Sequence, residues 1–187
     1  MIYDLLKKCR SYRRFDSTKK ISEETLRSFI EGARFTASAG NLQKLRYKLV
    51  ADDIGAREVF ESLKFAAYLK DWNGPLESER AVAFIIVASE CEINTNLAID
   101  LGISAEAICL AAAEESIGSC MFRSFSRERI DKVIGNPSLI PHLVISFGYP
   151  SETVSVIDTD GEDIKYYRDE NDCHVVPKIT ADKLIID

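Results

Sequence analysis

The chain has 187 residues, 46% of them hydrophobic and 29% charged, with a net charge of −6. That length supports one domain with a sizeable core, and the acidic balance excludes nucleic-acid binding through a broad basic face. Five widely spaced cysteines (Cys9, Cys91, Cys109, Cys120, Cys173) with no C-x-x-C pair, and only two histidines, His142 and His174, exclude a structural zinc centre and leave reduced thiols in a cytoplasm as the expectation.

Ile2, Leu5, Leu6 and Cys9 recur at i, i+3, i+4 and i+7, which predicts a first helix of about two turns with Cys9 buried as a small hydrophobe. Arg10, Ser11, Arg13 and Arg14 follow at the helix end. Arginine forks match phosphate oxygens bidentately, so the cluster reads as an anion grip; a solvated basic patch is the plain alternative. Phe15 anchors the chain before a polar loop over residues 16–20.

Ser22 is the N-cap of a second helix to about Phe35, with Glu23 and Glu24 in its first turn and Leu26, Phe29, Ile30 and Ala33 inward. Residues 37–43, Ala-Ser-Ala-Gly-Asn-Leu-Gln, break that pattern. Gly40 permits a positive φ, and Asn41 and Gln43 supply amide donors and acceptors. This reads as a small-residue turn where backbone nears a ligand, or as a helix cap and nothing more. Together with the arginine cluster it is expected to face one bound cofactor.

Residues 45–50 alternate as a strand with one mostly wet face, a third helix is predicted over residues 57–70, and Gly74-Pro75 marks a loop in which Trp72 is a packing anchor. Residues 81–88, AVAFIIVA, form an unbroken apolar run, hence a central strand covered on both faces. Asn94 or Asn96 caps the longest helix, which runs to about Ser116, ends at Gly118 and is buried nearly all round. Its apolar part, interrupted by Asp100, Gly102 and Glu106, is too short to span a bilayer. Ser126 caps a short helix that Gly135 stops, residues 140–147 form a strand bearing a partly exposed His142, and residues 158–163 form an acidic turn without the ligand pattern of a calcium loop. The tail is extended and needs a surface to lie on. Helices and strands do not alternate regularly, which argues for an α+β fold.

No dinucleotide-binding or P-loop glycine pattern and no nucleophile elbow is present. The stretch from Cys9 to Phe15, C-R-S-Y-R-R-F, resembles the R-R-S-x-R-x-F signature of the FMN-dependent nitroreductase family. ARFTASAGNLQ is similar to that family's ARLAPSAGNLQPW, IGSCMFRSF to its LGTCWIGAF, and LVISFGYPSE to its ALLPLGYPAE, all in the right order. The resemblance implies an FMN-binding domain over residues 1–150 with a central, mainly antiparallel sheet flanked by helices. It implies a homodimer, with the tail of residues 151–187 packing on the partner subunit.

The resemblance also implies hydride transfer from NADH or NADPH to nitroaromatic, quinone or other electron-poor small molecules in a ping-pong cycle, without a catalytic acid or base and without nucleic-acid or membrane partners. Arg10, Ser11 and Arg13 would hold the FMN phosphate and ribityl side. Ser38, Asn41 and Gln43 would lie along the ribityl chain and ring edge, with Phe122 and Arg123 near the ring. Lys178, or failing it Arg168, would complete the phosphate site, leaving Arg14 on the surface. Cys9 stands where the signature has its first arginine, Lys44-Leu45 replace Pro-Trp, and Arg123 replaces a glycine. These departures leave open a non-catalytic FMN carrier or sensor, or a related chemistry such as reductive dehalogenation.

Overall fold

In the computed structural model, which describes residues 1–65, 68, 72 and 74–186, four strands form an antiparallel sheet. They are β1 (Arg46–Val50), β2 (Ala83–Ser89), β3 (Gly118–Phe122) and β4 (Ile140–Gly148), in the order β1-β2-β4-β3. β2 is buried along its whole length, and its side chains alternate between two cores as strand geometry requires. Ala83, Ile85 and Val87 face one core, Phe84 and Ile86 the other. Each fully buried Phe or Ile there contributes about 1.5–3 kcal/mol.

Helices α1 (Ile2–Lys8), α2 (Glu23–Ala33), α3 (Asp53–Ser62), α4 (Thr95–Glu114) and α5 (Arg127–Ile134) flank the sheet. Leu26 and Phe29 of α2 and Leu101, Ala105, Ile108 and Ala112 of α4 fill the first core; Ala56 and Val59 of α3 and Ile130 of α5 fill the second. Ser22 and Asn94 cap α2 and α4 through their side chains, accepting from Thr25 N and Leu97 N at 3.0 Å.

α2 stops at Ala33, and Phe35 lies exposed beyond it. α3 starts earlier than the apolar spacing suggests because Asp52 caps it, accepting from Gly55 N at 2.8 Å. It ends at Ser62 because the chain then pairs with residues 124–126: Lys64 N donates to Ser124 O at 3.0 Å and Ser126 N to Ser62 O at 2.8 Å. The expected continuation through residues 66, 67, 69 and 70 lies outside the described residues. At 20 residues α4 is long and apolar enough to cross a membrane, contrary to the length expectation; here it packs as a core helix against α1, α2 and β3. His142 is buried, not partly exposed, with its Nε2 2.8 Å from Ser89 Oγ across the β2–β4 pair.

α4 ends through Ser116, at φ 62°, and Gly118 already belongs to β3, a strand that the sequence pattern concealed. Gly118 pairs with Gly148 across β3 and β4, and the two glycines make a seat. A Cβ on Gly148 would lie 2.6 Å from Phe15 Cγ; one on Gly118 would lie 2.9 Å from Tyr12 Cδ2. Tyr12 and Phe15 of the arginine-rich stretch rest there.

The tail forms a second, three-stranded sheet of β5 (Val154–Thr159), β6 (Tyr167–Arg168) and β7 (His174–Ile179) in the order β5-β7-β6, with β5 and β7 parallel. Within its own chain the tail meets residues 13 and 14, Tyr68 and Trp72.

Candidate functional site

After α1 the chain turns extended at the buried Cys9 and runs beside β3, where Ser11 bridges Ser119 and Tyr12 N donates to Ser119 O at 2.9 Å. Arg10 folds back to donate from Nη2 to Leu6 O at 2.7 Å, placing a cation at the negative end of α1. Its Nε is buried without a partner, and Arg10 has no carboxylate partner among the described residues. Ser11 is exposed. Arg123, exposed, directly follows the last residue of β3. The signature thus runs beside the start of β3 at Ser119, and Arg123 stands four residues, about 13 Å, further along that strand.

The other arginines are held by the tail. Glu152, whose side chain is 2% exposed, accepts from Arg13 N, from Arg14 N at 3.0 Å and from Arg168 Nη2 at 2.6 Å. The Arg14 guanidinium donates to Asp172 and approaches Glu79 at 3.8 Å. Arg168 Nη1 donates to Asp172 O at 3.1 Å. Trp72 packs between these two guanidiniums, 5.9 Å from Arg14 and 5.6 Å from Arg168. Arg14 is thus a paired, largely buried group and not a free surface residue, and Arg168 is committed to internal acids.

Arg13 lies 5.0 Å over the Tyr166 ring, with Nη1 3.2 Å from Ser11 O and 3.2 Å from His174 Nε2. A guanidinium only donates, so His174 accepts at Nε2 and carries its proton on Nδ1, which is buried without a partner. Burial and the Arg13 charge push the His174 pKa down to about 4, so the ring is neutral. Lys178 is exposed, four residues or about 13 Å further along β7 than His174. It stands opposite Asp158 in the strand pairing.

The second stretch is built differently. Ser38 leads into a 3-10 turn at Ala39–Asn41, with Gly40 at φ 58°, Asn41 at 54° and Gln43 at 46°. Left-handed backbone at non-glycine residues costs of order 1–3 kcal/mol and persists only where neighbours hold it. The holder is Asp100, 6% exposed on α4, which accepts from Ser38 Oγ at 2.7 Å and Ala39 N at 2.9 Å. Ser38 Oγ in turn accepts from Gln43 N at 3.1 Å. Ser38 and Gln43 border a cavity of about 230 Å³ floored by Asp100, Tyr47 and Ser104; Asn41 is exposed.

Within one chain the two stretches do not converge. The loop hangs on α4 at Asp100, whereas Cys9 lies in the field of Glu106, and Cys109 in the field of Cys9. Nine helical residues, about 13 Å, separate Asp100 from Cys109. Sequence reasoning missed Asp100, Glu152, Tyr166 and His174. An acid inside an Ala-rich helix was a usable signal for Asp100; the partners of Arg13 and Arg14, some 140–160 residues away, left none.

The sequence profile of the family described as the Nitroreductase family matches residues 6–149. No curated protein sequence matches. Among solved structures, a nitroreductase family protein from Streptococcus pneumoniae TIGR4 is similar, with TM-score 0.67 and 18% identity over 83% of this chain and 93% of that one. An FMN-dependent nitroreductase from Clostridium difficile R20291 gives 0.64 and 22% over 81% and 88%. An FMN-dependent nitroreductase from Mycobacterium smegmatis, in complex with NADPH, gives 0.64 and 19% over 80% and 87%. At these identities the likeness is one of fold.

Proposed function

The chain belongs to the nitroreductase family, and from that premise we propose that it is an FMN-dependent NAD(P)H oxidoreductase acting in the cytoplasm as a two-fold dimer. The observation that carries the reading is the pair of half-sites: an open cationic edge at Arg10 and Ser11, and a left-handed loop at residues 38–43 held from behind by Asp100. Each is incomplete in its own chain. Exposed Ile2 and Leu6 on α1 and Ile99 and Ile103 on α4 offer an apolar surface for a second copy, which would bring the loop of one chain to the edge of the other. Leu184 and Ile185, also exposed, remain for tail contacts with that partner.

The residues present fit a flavin. Arg10, with its orphaned Nε, and the exposed Ser11 hydroxyl would face the phosphate; Ser38, Asn41 and Gln43 would follow the ribityl chain and ring edge, and Arg123 would lie near the ring. A bound FMN supplies hydride transfer from NADH or NADPH to a nitroaromatic, quinone or similar electron-poor acceptor. The protein's part is binding, orientation and charge. No side chain is assigned a proton-transfer role: burial pushes Cys9 to about 11, Cys109 to about 12 and Cys120 to about 11, so all three keep their protons.

A second reading, a flavin carrier or sensor without turnover, draws support from the internal pairing of Arg14 and Arg168. One experiment separates them: record the visible spectrum of the protein with FMN, add NADH or NADPH without oxygen, then add a nitroaromatic. Bleaching followed by reoxidation is the expected result. A bound flavin that nicotinamide does not bleach supports the carrier, and failure to take up FMN contradicts both.

A further inference from the structure

Four arginines gather at the signature edge, and three carboxylates answer them. Arg14 is matched by Asp172 and Glu79, and Arg168 by Glu152 and Asp172. Arg13 has its face covered by Tyr166 and its Nη1 divided between Ser11 O and His174, with the Glu152 carboxylate on its own backbone N–H. Cys9 is buried and keeps its proton, so it adds no charge. Lys178 lies well along β7. Arg10 is left as the one guanidinium of the edge with neither an acid nor an aromatic ring as partner among the described residues.

We infer that this protein selects its flavin chiefly by ring and ribityl chain, holds the phosphate through Arg10 alone among the arginines of this edge, and therefore prefers FMN to riboflavin by no more than one charge-assisted contact. The inference rests on the flavin reading above. The physical reason is that a phosphate carries close to two negative charges and gains most where several unneutralised donors converge on it. Drawing Arg14 or Arg168 to a phosphate would strip Asp172 or the buried Glu152 of its cation. Arg168–Glu152 is a buried pair, and breaking it costs more than the new contact returns; Arg14 already faces two carboxylates, Asp172 and Glu79, which a phosphate would have to displace. The ribityl hydroxyls and ring edge meet no such competition, because the loop at residues 38–43 is fixed from behind by Asp100 and keeps Asn41 outward.

The test is equilibrium titration of the full-length protein, freed of flavin, with FMN and with riboflavin at one ionic strength, followed by quenching of flavin fluorescence. FMN is expected to bind no more than about fortyfold tighter than riboflavin, the middle of the range for one charge-assisted contact. Arg10→Ala should bring FMN to the riboflavin level and leave riboflavin unchanged, and Arg10→Lys should restore part of the difference, each with a near-parental thermal melt as the check on folding. A larger FMN preference, or an FMN preference that survives Arg10→Ala, overturns the inference while leaving the flavin reading in place. If neither flavin binds, both fall.

Discussion

The edge at residues 10–15 and the loop at residues 38–43 both follow a helix, and a buried carboxylate fixes each. Glu152 fixes the edge from the tail; Asp100 fixes the loop from α4. The two acids act on different groups. Asp100 binds the hydroxyl and amide at the start of the loop and leaves the later side chains outward. Glu152 and its neighbour Asp172 bind the guanidiniums themselves or the backbone beneath them, and so neutralise much of the charge that made the stretch conspicuous. A run of arginines is therefore not equivalent to a run of available positive charge, and the difference is set by residues far away in the chain.

Substitutions at the two anchors should separate these roles, and the largest effect is expected at Glu152. Glu152→Ala leaves Arg168, 14% exposed, without its main partner, and unpairing a buried ion pair costs about 3–5 kcal/mol. Thermal denaturation should show that loss, with the tail sheet released from the edge. A change below about 1 kcal/mol would mean that the pair is solvated.

His174 gives the edge a pH signature that the loop lacks. Its folded pKa of about 4 lies below the ordinary 6.5, so the unfolded chain binds the proton more readily. The associated stability is complete above about pH 6.5, declines as the pH falls, and is spent near pH 4. The ceiling is about 3 kcal/mol. His174→Gln should flatten that part of the stability profile measured in denaturant, and a profile identical to the parent would remove His174 from the edge.

At the loop, Asp100→Ala orphans Ser38 Oγ and Ala39 N. Hydrogen bonds to a charged group are worth about 1.5–3 kcal/mol, so a loss of about 2 kcal/mol is expected in a urea melt, with the pH profile of His174 retained. The smallest effect on stability belongs to Arg10→Ala. Partly buried but without an acid partner among the described residues, Arg10 should change the melt by less than the substitutions above, about 0.5–1 kcal/mol for its one bond to Leu6 O, while FMN affinity falls.

How much of this was legible depended on distance along the chain. β2 announced itself because the run of residues 81–88 has no polar position, and Ser22 and Asn94 were readable as caps because their bonds are local. β3 was not readable: Gly118, Ser119, Cys120 and Phe122 are buried together, so burial of small and polar residues erased the alternation. The ends of α3 were not readable, because its cap, Asp52, precedes the apolar spacing and its end is dictated by pairing with residues 124–126. At the site, the arginines and the small-residue loop stood out by composition. The parallel pairing of β5 with β7, which delivers His174 and the acids to the arginines, has no local sequence signal.

The central claim, that the edge of one chain and the loop of its partner make one flavin site, can be tested by mixing two defective chains. Arg10→Ala impairs the edge. Gly40→Val impairs the loop, because a β-branched residue does not adopt φ 58° without strain. Each variant alone should bind FMN more weakly than the parent, Arg10→Ala by the loss of its one phosphate contact. Unfolded together and refolded as a mixture, they should regain tight FMN binding at about one site per mixed dimer, since one of the two sites then receives both intact halves. A mixture that binds FMN no better than its separate components would contradict the shared site.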